Sequence, residues 1–207
     1  RFGASVAEQY DLVRLDPSYQ VVFAPDDVWD IPADMSALEA FFERIETGAG
    51  AMLRKFLAEA KVKYDLGMSD VVRTPSLSWM EFAKPKVLAG MLKVSVLSSM
   101  RKHVAAHFKD PRLRSLMEFP VLFLGATPQN TPALYSLMNY ADMSLGTWYP
   151  MGGMGRIVSS MAALAESKGV RILNDSPVER IVVEDGRAKG VVVNGSEMRA
   201  DSVVSGA

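Results

Sequence analysis

Trp148-Tyr149-Pro150-Met151-Gly152-Gly153-Met154-Gly155-Arg156-Ile157 is an aromatic-proline segment that runs through three glycines into an amphipathic helical pattern. Upstream of it, residues 36–145 read as Met-rich helices. Downstream, β-branched runs separated by tight turns lead to Ala200-Asp201-Ser202-Val203-Val204-Ser205-Gly206-Ala207. This change of hydrophobic period predicts two domains, 1–147 and 148–207, with the chain leaving one and entering the other at the segment.

Beyond the segment, Ile157, Met161, Leu164 and Ala165 share one helix face, and Lys168-Gly169 supplies a basic last turn and a terminating glycine. Strands are expected at 170–173, 178–183, 190–193 and 202–204, with Asp185-Gly186 and Asn194-Gly195 as two-residue hairpin turns. A helix, a strand and a β-meander in this order are a common insertion in nucleotide-binding α/β folds.

On the other side, residues 10–31 alternate apolar runs with turn formers and read as two or three strands, the third around Val28-Trp29-Asp30-Ile31. The capping box Ser36-x-x-Glu39 opens a helix with Leu38, Phe41, Phe42 and Ile45 on one face. Gly48 and Gly50 separate it from a second helix, from about Met52 to Tyr64. A second box, Ser78-x-x-Glu81, introduces helical sequence to about Phe108. Asp110-Pro111 and Asn130-Thr131-Pro132 each combine a cap with a first-turn proline, the latter opening a helix through Tyr140.

Composition narrows the function. The balance of 23 Lys+Arg against 24 Asp+Glu supplies no positive surface for a phosphate backbone, so no nucleic-acid partner is expected. A count of 0 Cys removes disulfides, thiolate metal sites and thiol nucleophiles, and fits a reducing, cytoplasmic compartment. The most apolar stretch is interrupted by Lys93 and Arg101, so no membrane span is expected. The chain opens on Arg1-Phe2-Gly3 and stops after a strand-like run, and is expected to be an internal piece of a larger protein.

Few motifs carry chemistry by themselves. Gly48-Ala49-Gly50 follows helical sequence rather than a buried strand and is not a phosphate loop. Gly152-Gly153-Met154-Gly155 stands at a helix N-terminus, where it either faces an anion or carbonyl oxygen or only permits a tight turn. His103 and His107 are spaced for a metal, but without a nearby carboxylate a solvated helix face is the better expectation. Residues 83–109 hold Lys84, Lys86, Lys93, Arg101, Lys102 and Lys109 around leucine and methionine, with no acid. That pattern fits either a peripheral membrane surface or an ordinary surface helix. The 13 Met suit a pocket for a long apolar ligand, although most are expected to fill the core.

Leu12-Val13-Arg14-Leu15-Asp16-Pro17-Ser18-Tyr19, Phe108-Lys109-Asp110-Pro111, Phe123-Leu124-Gly125-Ala126-Thr127-Pro128, the Trp148 segment and Ala200-Asp201-Ser202-Val203-Val204-Ser205 resemble, in order, motifs of the bacterial phytoene desaturases. These carotenoid desaturases belong to the FAD-dependent amine oxidase superfamily. The resemblance implies an α/β flavoprotein in which an α+β substrate domain is inserted in a Rossmann-like FAD-binding domain. On this basis 1–147 is mostly substrate domain and 148–207 the middle part of the flavin domain.

The implied activity is FAD-dependent desaturation of a long isoprenoid hydrocarbon, phytoene or a related carotenoid, at a membrane surface, with hydride passing to flavin. A carotenoid isomerase, a carotenoid oxygenating enzyme, a retinol saturase-like enzyme and a redox-inactive apolar-ligand binding module are the alternatives. The resemblance places Val178, Ser205, Gly206 and Ala207 against FAD. It gives Glu81 a proton-transfer role, although the residue also completes a capping box, and sets Arg156 near the flavin, where relatives carry small residues. Tyr19, Phe123, Tyr135, Trp148, Tyr149, Met151 and Met154 are expected against the polyene.

Overall fold

A computed structural model describes residues 3–68 and 98–206 of the chain. Glu81, its capping box and residues 83–97 of the basic stretch lie outside the described residues, as does Ala207. The chain divides into two compact units, Arg1–Gly153 and Met154–Ala207. The division thus falls after Gly153 rather than at 147, because Trp148–Pro150 (β4) pairs antiparallel with Leu12–Arg14 (β1), in register Leu12 to Pro150.

In the first unit, Tyr19–Ala24 (β2) and Asp27–Ile31 (β3) form a hairpin. Its inward side chains, Trp29 and Ile31, are buried. Helix α1, Met35–Ile45, begins two residues earlier than the Ser36 box predicts. Asp34 is its cap, its carboxylate accepting from the Ala37 N–H at 2.9 Å.

Helix α2, Ala49–Leu66, also starts earlier than expected. The Glu43 carboxylate accepts from the Gly48 and Gly50 N–H groups at 2.8 and 3.1 Å, so the chain itself satisfies the free donors of this helix start. A Cβ on Gly50 would lie 2.7 Å from the Glu39 carbonyl oxygen, so glycine is what lets α1 and α2 come together.

Met100–Ala105 (α3) and Pro111–Glu118 (α4) complete the core. Asp110 caps α4 as expected, accepting from the N–H groups of Arg112 and Leu113. Phe42, Phe56, Phe108, Met100, Leu113 and Met117 are fully buried where these helices meet. Edge-on and tilted ring contacts at 4.8–6.3 Å run from Phe23 through Trp29, Phe41, Phe42 and Phe108 to Phe56.

The single helix expected through Tyr140 is instead a composite. A 3-10 turn, Ala133–Ser136, passes into Leu137–Asn139 (α5) and then a π-helical turn, Tyr140–Ser144. Side chains claim the backbone here. The Ala133 carbonyl accepts from both the Ser136 hydroxyl and the Lys63 ammonium, at 2.8 and 3.1 Å.

The second unit has helix α6, Gly155–Ser167, and the antiparallel meander Val178–Glu184 (β5), Arg187–Val193 (β6) and Ser196–Arg199 (β7). Asp185 and Asn194 adopt positive φ, as the expected hairpin turns require. The residues expected as strands at 170–173 and 202–204 form no regular element. Neither has a ladder partner among the described residues, and a strand exists only as one of a pair.

Candidate functional site

The first unit has an open-sided cavity of about 890 Å³, within the range typical of small-molecule sites. β2 supplies one wall through Tyr19, Val21 and Phe23. The end of α4 and the 3-10 turn Phe119–Leu124 supply another, and α5 with the π turn the third.

The cavity reaches the surface at the 3-10 turn, where Leu122 is 60% and Phe123 73% exposed. An exposed aromatic and aliphatic rim continuous with an apolar interior is the surface a water-insoluble ligand requires. Phe119 and Phe123 meet edge-on at 5.3 Å within this rim.

One polar cluster lies in the wall. Tyr19 donates its hydroxyl to Asp142 Oδ2 at 2.8 Å, and Thr147 donates to Oδ1 at 3.1 Å. All three residues line the cavity. Burial pushes the Asp142 carboxyl above the ordinary aspartate range, against the opposing pull of its two hydrogen bonds. Burial, and then the Asp142 charge, push the Tyr19 phenol up as well, so Tyr19 stays a neutral donor at any working pH. Sequence reasoning missed Asp142. Its signal was available, since it is the sole acid between Glu118 and Glu166.

A second polar group is buried in the same unit. Lys63, on α2, contacts His103 Nε2 at 3.3 Å and donates to Ser136 Oγ at 2.8 Å. His103 and His107 pack on Phe56 with ring centroids at 4.9 and 5.3 Å, which corrects the expectation of a solvated histidine face. No group of three or more His, Cys, Asp or Glu side chains that could hold a metal ion occurs among the described residues.

Of the residues expected against an apolar ligand, Tyr19 and Phe123 line the cavity. Tyr135 packs against the hydrophobic core instead. Trp148, Tyr149 and Met151 are exposed on and beside β4, outside this cavity, and the Trp148 indole donates to the Leu145 carbonyl at 2.9 Å. Met138 is the methionine in the wall, while Met100, Met117 and Met143 fill the core.

In the second unit, Met154 and Arg156 are exposed at the start of α6. Val178 heads β5, an edge strand of its sheet, and is 56% exposed. An edge strand has main-chain groups on one side that its own sheet does not pair. A Cβ on Gly206 would meet nothing within 4 Å. Both positions therefore leave the backbone accessible to a planar or phosphorylated group, and the residues fit a flavin nucleotide in that respect.

Residues 10–207 match the family described as flavin containing amine oxidoreductase. The chain is 32% identical to a zeta-carotene-forming phytoene desaturase from Myxococcus xanthus, over 99% of this chain and 40% of the relative. It is 32% identical to a carotenoid 3,4-desaturase from Haloarcula japonica, over 98% of this chain and 41% of the relative. A neurosporene-forming phytoene desaturase from Cereibacter sphaeroides is 30% identical over 99% of this chain and 39% of its own length. The chain thus spans about two fifths of the length of these curated relatives.

Proposed function

Because the chain belongs to the flavin containing amine oxidoreductase family, we propose that it acts within an FAD-dependent desaturase of a long isoprenoid hydrocarbon such as phytoene or a related carotenoid. The observation that carries this is the apolar cavity of about 890 Å³, rimmed by Leu122 and Phe123, in a chain similar along nearly all its length to carotenoid desaturases. β2 and the Phe119–Leu124 turn bind the hydrocarbon by excluding water from it.

FAD, when bound, supplies the two-electron acceptor for carbon–hydrogen bond removal. The main chain of Val178 is the adenine contact, and Ser205 and Gly206 lie where the backbone passes the cofactor, with Ala207 following. Arg156 is the cation on the flavin side, and Glu81 the proton-transfer group. The protein expressed from its complete reading frame is expected to purify yellow and to lose its flavin absorbance on anaerobic mixing with phytoene liposomes. A protein that never takes up FAD sinks the proposal. Chromatography of the product separates desaturation, which lengthens the chromophore, from isomerisation, which does not.

The same reading places the molecule peripherally on a membrane. No helix among the described residues is long and apolar enough to cross one. The exposed rim instead lets the substrate pass from the acyl region into the cavity, with the basic stretch 83–109 toward anionic headgroups. Replacing both Leu122 and Phe123 by Asp is expected to weaken co-sedimentation with anionic liposomes about tenfold or more, from the lost apolar burial. Sedimentation equal to that of the unaltered protein would remove the rim from the membrane contact.

A further inference from the structure

The cavity wall holds more polarity than a plain hydrocarbon needs. Gln20, Ser115 and Glu118 also line it, but each has a partner elsewhere. Gln20 donates to Asp30 at 2.8 Å, Ser115 to the Pro111 carbonyl at 2.9 Å, and Glu118 accepts from the exposed Arg101 guanidinium at 3.5 Å. Tyr19, Asp142 and Thr147 are different, since their hydrogen bonds are made to one another inside the wall.

Donors and acceptors can be counted there. Tyr19 and Thr147 each own one O–H, and both are spent on Asp142. An ionised carboxylate offers about four lone-pair sites, so Asp142 keeps roughly half of them after accepting these two bonds. The Tyr19 and Thr147 oxygens also keep lone pairs. At a pH where Asp142 is ionised, the cluster therefore offers a ligand acceptors and no side-chain donor. A hydrocarbon end leaves those desolvated lone pairs uncompensated, and an ether or carbonyl end adds acceptors facing acceptors. A hydroxyl end satisfies them.

We propose that Tyr19, Asp142 and Thr147 form a binding site for the terminal hydroxyl of an isoprenoid whose chain fills the apolar part of the cavity. The isoprenoid skeleton rests on the desaturase reading, whereas the hydroxyl follows from the hydrogen-bond count. The site is a specificity determinant, separating a hydroxylated polyene from its parent hydrocarbon by one charge-assisted hydrogen bond. No bond is made or broken at it.

The test uses the full-length, flavin-loaded protein and three probes: a linear carotene, the same carotene with one terminal hydroxyl, and that compound methylated on the hydroxyl. Binding is measured by partition from detergent micelles, and flavin bleaching is recorded separately. The hydroxylated probe is expected to bind about tenfold or more tighter than either of the others, the scale of one buried hydrogen bond to a charged group.

Asp142→Asn keeps the side-chain volume but gives the wall an N–H donor, and is expected to lift the discrimination against the methyl ether. The double variant Tyr19→Phe/Asp142→Leu removes the polar pair together and should bring the preference to about one. Equal binding of all three probes by the unaltered protein overturns the site and leaves the desaturase reading standing. A preference that survives both variants overturns the assignment to these residues. A preference without any bleaching upholds the site and sinks the desaturase reading instead.

Discussion

Changing Phe56 to Ala is expected to cost the unit Arg1–Gly153 about 3–5 kcal/mol, enough to leave a domain of ordinary stability marginal. Phe56 is fully buried in α2, and its ring contacts His103, His107 and Phe108 at 4.9, 5.3 and 6.0 Å. Those partners come from α3 and the turn that follows it, so the ring joins two separate stretches of the chain. Removing it loses the transfer free energy of the ring and leaves a void that the surrounding helices can only partly close. Trp29, buried between Phe23 and Phe41, reports the unfolding by its fluorescence during a urea titration. Leu122→Ala, on the exposed rim, should shift the midpoint by no more than about 0.5 kcal/mol in equivalent stability. Similar midpoints for the two variants would show that the helical core is not where the stability resides.

Acidification is expected to weaken the same unit by up to about 3 kcal/mol between pH 6.5 and 4, through His103. Burial holds its imidazole down to about 4, assisted by the Lys63 ammonium and by His107. Glu59 stands 3.9 Å from both histidines. The unfolded chain binds the proton at the ordinary value of 6.5, so within this window the unfolded state holds more protons than the folded one. Stability contributed by the neutral ring is therefore whole above 6.5 and is lost as the pH falls, levelling off below 4. Urea midpoints across this range should slope in the unaltered protein and flatten in His103→Gln. Lys63→Met, which removes the neighbouring cation, should reduce the slope. Parallel slopes in the unaltered protein and His103→Gln would assign the acid sensitivity to other groups.

Legibility from sequence follows the range of the interaction concerned. Asp110-Pro111, Lys168-Gly169, Asp185-Gly186 and Asn194-Gly195 sit where they were expected, because a cap or tight turn is decided by a few adjacent residues. The β2–β3 hairpin was equally plain. Displacing the α1 cap from Ser36 to Asp34 is a competition between two neighbouring acceptors, which composition alone does not settle. Three features depended on distant partners and were hidden: the pairing of β1 with β4, the buried Lys63, and the cluster at Asp142. A lysine on an amphipathic helix reads as solvent-facing until Ser136 and the Ala133 carbonyl arrive from more than a helix away. Asp142 gave a weak signal by its isolation in an acid-free stretch, yet nothing local joins it to Tyr19. Of the aromatic residues named from the resemblance, Phe123 and Tyr19 line the cavity, while Trp148 and Tyr149 stand on β4, which pairs with β1.

That commitment of β4 to β1 also sets an order of events during synthesis. Leu12–Arg14 emerges from the ribosome well before the strand it must pair with, Trp148–Pro150, which follows only after the helices between them. Until then the first strand waits with its hydrogen-bonding edge open, while α1 and α2, contiguous in sequence, can already pack on each other. Closing so long a loop costs entropy that only the finished ribbon returns, so this ribbon is expected to be among the last parts of the unit to form. A nascent chain arrested before Trp148 should therefore hold the helical hairpin and leave Leu12–Arg14 accessible to a chaperone.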